Sequence, residues 1–287
     1  MNQMRESIVK ALDRLMLAQA YLVSSYRGRK NRKLFDGVET YCMFIGYPRS
    51  GHSLIGSLLD AHPNVIVAHE LDALKYVDAG LGKYRLYQLL LDNSRRFAQR
   101  GREWTGYTYG VPGQWQGRFD KLRVIGDKKG GRSTLQLAEN PELLHRLRKT
   151  VATDIRFIHT IRNPYDNIAT MHKRTLEHNH NQALSATVED YFSRCEMNAN
   201  LKERLEKGVV LDVRHESFVE DPKSMLRELC SFVGLGYDKD YLEGCASIVF
   251  SSSHKSRYDI EWDTAALAAV RTGISRYGFL KGYSYEE

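Results

Sequence analysis

Residues 41–56 read Tyr-Cys-Met-Phe-Ile-Gly-Tyr-Pro-Arg-Ser-Gly-His-Ser-Leu-Ile-Gly, and no other stretch limits the possible folds of this chain as strongly. The apolar run over 41–45 predicts a buried strand, and a helix is expected to start at about Ser53. Between them, Gly46 and Gly51 stand at the spacing of G-x-x-x-x-G-K-[ST], the loop whose backbone N–H groups wrap a phosphate. The helix start adds the positive end of its dipole and unpaired donors, and Ser53 adds a hydroxyl. The lysine of that pattern is missing. His52 stands where a nucleoside-triphosphatase places the lysine that reaches the β- and γ-phosphates, and Arg49 brings a permanent cation three residues earlier. Such a loop can hold one phosphate with a guanidinium beside its ester oxygen, and it suits a triphosphate chain with magnesium poorly.

Further apolar runs fall at 65–68, 124–125, 156–161 and 209–213, and helical spacing at 53–61, 133–139, 143–147, 165–176 and 188–205. This alternation predicts an α/β fold, a P-loop-like three-layer sandwich with a central, mainly parallel sheet flanked by helices. Ligands of open α/β sheets bind outside the C-terminal ends of the strands, so chemistry is expected just after each run.

The length of 287 residues fits one large domain or two small ones, and we read one: a helical, basic extension over 1–40 and a core over 41–283. With 42% apolar and 27% charged residues, wholesale disorder is excluded. No run reaches the roughly 18 uncharged apolar residues a membrane span needs. Residues 8–23 carry Lys10, Asp13, Arg14 and Gln19 and read as an amphipathic surface helix. No short apolar block with a small-residue cleavage site stands near the start, so a cytoplasmic location is expected. Cys42, Cys195, Cys230 and Cys245 are widely spaced, which predicts a reducing compartment without disulfides or a zinc knuckle.

The net charge of +7 suits an anionic ligand. The densest basic run, Arg27 to Lys33, is expected to be a solvated linker, with no nucleic acid and no membrane as partner; contact with either is the alternative. His178, Asn179 and His180 lie in an irregular stretch without a third ligand at helical spacing, so no metal site is expected there.

Pro48-Arg49-Ser50-Gly51-His52-Ser53-Leu54 resembles the 5′-phosphosulfate loop of the sulfotransferases that use 3′-phosphoadenosine 5′-phosphosulfate (PAPS), and residues 58–65 resemble the L-x-A-H-P continuation found in tyrosylprotein and bacterial members. The stretch 156–170 resembles their 3′-phosphate signature, a strand ending in Arg162 with a hydroxyl residue, Thr170, eight positions on and Pro164 opening a helix. Taken alone, Arg162 could instead cap the strand and pair with Asp166. Residues 209–222 resemble the strand, Y-E-x-L-x-x-D-P and helix of the family, with His215 in place of the tyrosine, and 253–257 resemble a late loop that closes over the 3′-phosphate in bacterial members. The likeness spans roughly 41–283.

It implies that Arg49, Ser50, Gly51, His52, Ser53 and Leu54 bind the 5′-phosphosulfate, and that Arg162, Thr170 and Arg257 bind the 3′-phosphate. Sulfonate transfer needs a base for the acceptor, and the second strand presents His69 and Glu70 at the active edge. Glu70, 21 residues after Arg49, matches the glutamate base of the tyrosylprotein members; it could otherwise cap a helix starting near Leu71. Lys128 resembles the lysine presented to the transferring sulfonate. Lys129 is read as solvated, and Ser133 as a helix cap. No metal is implied. Trp104, Tyr107, Tyr109 and Trp115, in the aperiodic stretch 101–119, either line an acceptor pocket or pack over the sheet.

The expected activity is therefore transfer of a sulfonate from PAPS to a hydroxyl or amine of a small acceptor, with release of adenosine 3′,5′-bisphosphate. The alternatives are a P-loop kinase using ATP and magnesium, with Asp212 on the metal strand, and a basic binding protein without catalysis.

Overall fold

The computed structural model describes residues 17–178 and 181–286. Strand β1 (Thr40–Gly46) is followed by β2 (Val65–His69), a small antiparallel hairpin of β3 (Glu103–Trp104) and β4 (Tyr107–Thr108), then β5 (Val124–Lys128), β6 (Asp154–Ile161) and β7 (Val210–Arg214). The five long strands form one parallel sheet in the order β2-β5-β1-β6-β7. Central β1 is buried at every position, because both faces of a parallel sheet are covered by crossover helices.

Alternate residues of β1 feed two different cores. Tyr41, Met43 and Ile45 join a cluster with Leu86, Leu90, Leu137 and Leu147 from helices α4 (Lys83–Gln99), α5 (Gly131–Glu139) and α6 (Glu142–Val151). Cys42 and Phe44 face the opposite layer, with Ile55 and Leu58 from α2 (His52–Leu59), Leu226 from α10 (Pro222–Phe232) and Tyr241 from α11 (Lys239–Ala246). A third cluster gathers Tyr47 and Ile161 with residues of α7 (Pro164–His178), α8 (Leu184–Glu203) and α12 (Thr264–Arg276). This is the expected three-layer α/β architecture.

The five predicted strands are all present, and β5 runs three residues further than its apolar pair, so Asp127 and Lys128 are buried strand residues. The 17-residue α4, whose spacing was not read as helical, covers β2. Residues 17–30 form helix α1, and α7 continues to His178; residues 8–16, Asn179 and His180 lie outside the described residues.

Asp60, just after α2, ties the aperiodic stretch to the sheet. Its buried carboxylate accepts from Val67 N at 2.6 Å, Ser94 Oγ at 2.8 Å, Gly117 N at 3.1 Å and the buried Arg102 guanidinium. Gln116 Nε2 adds a bond to Ser57 O at 2.9 Å, so both ends of the stretch are clamped beside α2. Replacing Asp60 with alanine strands the Arg102 charge and is expected to cost about 3–5 kcal/mol of stability, measured by urea unfolding. Adding Arg102→Met should recover part of that loss.

Candidate active site

Because all five strands run the same way, Gly46, His69, Lys128, Ile161 and Arg214 end at one edge of the sheet. The loop after β1 opens there onto α2. Gly51 is the N-cap of α2, with φ 97° and no side-chain cap, so the first-turn N–H groups face outward without a capping acceptor. A Cβ on Gly51 would meet His215 Nδ1 at 2.7 Å, so glycine is required both by conformation and by space.

Two residues expected at the 5′-phosphosulfate turn their side chains inward. His52 Nε2 lies 3.0 Å from Ile45 O; a carbonyl can only accept, so Nε2 donates and Nδ1 is an acceptor 3.1 Å from Ser50 Oγ. Burial holds the imidazole neutral, with its pKa pushed down to about 3. Ser50 Oγ also meets Tyr47 O and Thr160 Oγ1, both at 2.9 Å. The ring of His52 and the hydroxyl of Ser50 therefore brace the loop from beneath and leave backbone N–H groups as its outer surface. Leu54 packs its side chain toward the α2 core. The half-buried Arg49, at φ 67°, has no hydrogen-bond or ion-pair partner for its guanidinium among the described residues.

The ends of β2 and β5 meet at a buried charge. Lys128 is 2% exposed, and its ammonium reaches Ser53 Oγ at 3.0 Å, Glu70 Oε1 at 3.0 Å and His69 Nε2 at 3.5 Å. Gly56 makes this possible, since a Cβ there would stand 2.9 Å from Lys128 Cγ. Lys129 is not the solvated lysine expected: its ammonium pairs with Glu70 Oε2 at 3.1 Å. Burial raises the Glu70 pKa, but the ammoniums of Lys128 and Lys129 outweigh it and hold the pKa at about 2. Burial, with Lys128 beside it, pushes His69 down to about 3, and its ring is stacked on Phe97 at 3.9 Å. Nor does Glu70 cap a helix. Helix α3 begins at Ala73, and buried Asp127 accepts from Leu71 N at 3.1 Å and Ala73 N at 2.8 Å, holding the turn in which Glu70 sits at φ 56°. Ser133 caps nothing either, because α5 starts at Gly131 and encloses it.

On the other side of β1, Arg162 follows β6 directly. Its guanidinium donates to Thr170 Oγ1 at 3.2 Å, Arg49 O at 3.3 Å, Ser256 Oγ at 3.1 Å and His254 O at 2.6 Å. Helix α7 does lean over the edge, and Arg162 joins it to the loop after β1 and to the late loop. Asp166 is not its partner. That carboxylate makes a bidentate pair with Arg257, at 2.9 and 2.6 Å, and Arg257 also donates to Ser284 O and Tyr285 O. Arg257, expected as a phosphate ligand, is 1% exposed and locks the late loop to α7 instead. Glu216 supports the turn by accepting from Asn163 N at 2.9 Å and Tyr283 Oη at 2.7 Å.

Three buried polar atoms around the loop have no protein partner: Arg162 Nε, His215 Nδ1 and Asn167 Oδ1. They leave donors and acceptors free for a polar ligand or water, as five further buried atoms elsewhere do. The aromatic stretch borders the same edge. Trp104 packs edge-on to His69 at 5.1 Å, Tyr109 lies beside Ser53, and exposed Tyr107 meets exposed Phe250 at 6.2 Å. Sequence reasoning missed Asp60, Asp127, Asp166 and Glu216 as supports. Asp127 was signalled only by a charged residue at a strand tip, and Asp166 and Glu216 by their places inside the two motifs.

Residues 43–239 match the family model of the sulfotransferase family. No curated protein sequence matches the chain. Among solved structures, the sulfotransferase domain of the Synechococcus PCC 7002 olefin synthase is similar at 14% identity and a TM-score of 0.53, over 83% of this chain and 94% of that one. The sulfotransferase domain from the curacin biosynthetic pathway is similar at 14% identity and a TM-score of 0.54, over 84% and 98%. A sulfotransferase from Mycobacterium avium shares 12% identity with a TM-score of 0.52, over 89% and 81%. At these identities the likeness is one of fold.

A carboxyl depressed in the folded state adds stability above its unfolded pKa, here 4.5, and loses it as pH falls through the folded value. Lys129→Ala removes one of the two cations acting on Glu70, so the Glu70 pKa rises above about 2. The variant should gain less stability at neutral pH and complete its loss at a higher pH. Titration of the Glu70 side-chain carbon resonance checks this, and an unmoved midpoint would contradict the pairing.

Proposed function

Because the chain belongs to the sulfotransferase family, we propose that it moves the sulfonate group of PAPS onto a hydroxyl or amine of a small acceptor and releases adenosine 3′,5′-bisphosphate. The observation that carries this reading is the Lys128 ammonium held 3.0 Å from Glu70 Oε1 and 3.0 Å from Ser53 Oγ in the first turn of α2. A proton acceptor and a fixed cation at a phosphate-binding loop are the two elements that sulfonate transfer requires.

PAPS supplies an activated sulfonate, and the residues present fit it. The outward N–H groups of the loop and the unpartnered Arg49 suit the 5′-phosphosulfate. Arg162, with Thr170 beside it and its Nε without a partner, suits the 3′-phosphate. Arg257 is left out of this set, and Ser50 and His52 contribute through backbone only. In the transfer, the acceptor oxygen or nitrogen forms a bond to sulfur as the bond from sulfur to the phosphate oxygen breaks. The acceptor proton passes to Glu70, and the electron pair leaves with the bisphosphate. Lys128 and Arg49 offset the charge that gathers on the leaving oxygen.

Glu70 is favoured over His69 as base. It is about one-third exposed at the edge, whereas His69 is 9% exposed, stacked on Phe97 and turned toward the Lys128 ammonium. At a pKa of about 2 the Glu70 carboxylate is ionised at neutral pH but weakly basic, and drawing Lys128 toward the incoming anion would strengthen it. Trp104, Tyr107 and Phe250 suit an acceptor with a ring or apolar body. The kinase reading is weaker, since Asp212, its magnesium ligand, is bonded to His159 at 2.9 Å and Lys202 at 2.8 Å.

Thermal shift with adenosine 3′,5′-bisphosphate, beside ADP and ATP with magnesium, tests the nucleotide. Ligand at 100 times its Kd stabilises by about 2.7 kcal/mol, and preference for ATP with magnesium would sink the reading. Arg162→Ala should weaken bisphosphate binding roughly 10- to 100-fold, as expected for loss of charged hydrogen bonds. Glu70→Gln should retain that binding and lower kcat by about 10²–10⁴-fold. Trp104→Ala should raise KM for the acceptor and leave bisphosphate binding unchanged.

A further inference from the structure

Helix α1, over residues 17–30, is built the opposite way from an ordinary surface helix. Its inner face is small and narrow: Leu17 and Ala20 touch the core, Ser24 is fully buried, and Gly28 lies so close to α4 that a Cβ would meet Tyr84 O at 2.9 Å. Its outward positions carry the large apolar side chains. Leu22 is 72% exposed, Tyr26 71%, Tyr21 49% and Val23 44%, and Leu34, just past the helix, is 42% exposed. Leu22, Tyr26 and Val23 fall within about 100° of one another around the helix, an exposed apolar stripe of the kind that marks an interaction site.

A dense cationic cluster adjoins it. Arg29, Lys30, Arg32 and Lys33 follow the apolar positions, and Arg29 and Arg32 line a groove of about 530 Å³ with Lys83, Arg85, Ser25, Gly28 and Tyr84. None of these six has a carboxylate partner among the described residues. The nearby acids are engaged elsewhere: Asp92 pairs with Arg27 at 2.9 Å, and Asp36 accepts from Tyr84 Oη at 3.3 Å. Aromatic faces hold three of the cations in place, Arg85 over Tyr21 at 4.1 Å, Arg32 over Tyr84 at 4.8 Å and Lys83 over Tyr87 at 5.5 Å. Helix α4 begins at this groove with a glycine N-cap and no acidic residue in its first turn, so its dipole adds to the positive field.

We propose that this face docks on an anionic lipid surface, with Leu22, Tyr26 and their neighbours entering the interface and the six cations meeting the headgroups. Aromatic and aliphatic side chains beside lysines and arginines are what an interfacial helix needs, and no crossing of the bilayer is involved: no helix among the described residues is long and apolar enough for that. The charge decides against a second copy of this chain, because an isologous contact would bring two unpaired cationic clusters together. The aliphatic Leu22, Val23 and Leu34 offer nothing to a nucleic-acid backbone, which decides against that partner. On this reading the run Arg27 to Lys33, whose five cations are exposed, meets a membrane surface as well as solvent.

Co-sedimentation of the full chain with large unilamellar vesicles tests the proposal. Binding is expected to vesicles of phosphatidylcholine with 30% phosphatidylglycerol, to fall as salt rises, and to be absent with phosphatidylcholine alone. Each cation near such a surface is worth roughly fivefold, so the triple variant R29A/K30A/K33A should bind about 100-fold more weakly. L22S/Y26S should lose at least about 10-fold with an unchanged melting temperature, because neither side chain is buried. Equal binding to both vesicle types, or none to either, overturns the proposal. So does a dimer in sedimentation equilibrium that L22S/Y26S dissociates, or duplex DNA binding that survives L22S/Y26S.

Discussion

The buried ammonium of Lys128 organises this molecule. A lysine at 2% exposure is tolerated only where its charge and its donors are met, and here three neighbours meet them: the Ser53 hydroxyl, the Glu70 carboxylate and the His69 ring. Those neighbours come from α2 and the end of β2, so one side chain at the tip of β5 joins the start of α2 to His69 and Glu70 at the edge. Gly56 leaves the space, and Asp127, one residue earlier in the strand, holds the backbone turn that carries Glu70. Position and charge are thus set by the same two consecutive residues pointing to opposite faces of the strand.

The edge is held under local strain. Arg49 and Glu70, the two residues assigned the most direct roles, both adopt left-handed backbone, at φ 67° and 56°, without being glycine. Such conformations cost of order 1–3 kcal/mol each and persist only where surrounding contacts enforce them. Around Arg49 the enforcing contacts are the inward bonds of Ser50 and His52 and the donation of Arg162 to Arg49 O. Around Glu70 they are the Asp127 carboxylate and the two lysines. The side chains of Ser50 and His52 therefore shape the loop from within and leave backbone N–H groups on its outer surface.

Much of this was legible before any coordinates. The parallel sheet followed from apolar runs alternating with helical spacing, and the glycine spacing marked the turn after β1 that opens onto α2 at the common edge, because a five-stranded parallel sheet sends every such loop there. Arg162 and Thr170 meet as their separation of eight positions allows on a leaning helix. Other assignments could not be reached from spacing. Asp166 lies within a turn of Arg162 in sequence yet pairs with Arg257, 91 residues away, and Lys129 reads as solvent-facing until β2 brings Glu70 beside it. Helix α1 is the sharpest case: its apolar residues follow a helical period, but which face is buried depends on Gly28 and Ser24 fitting against α4.

By itself the sequence determined the layer architecture, the edge at which the strand-end loops gather and the family, because periodicity and glycine spacing are local properties of the chain. Only the tertiary structure decided which side chains stay unpartnered at the edge and which brace the loop. Partner choice among buried charges is settled by distances across elements far apart in sequence, and those distances exist only once the sheet has brought the strand ends together.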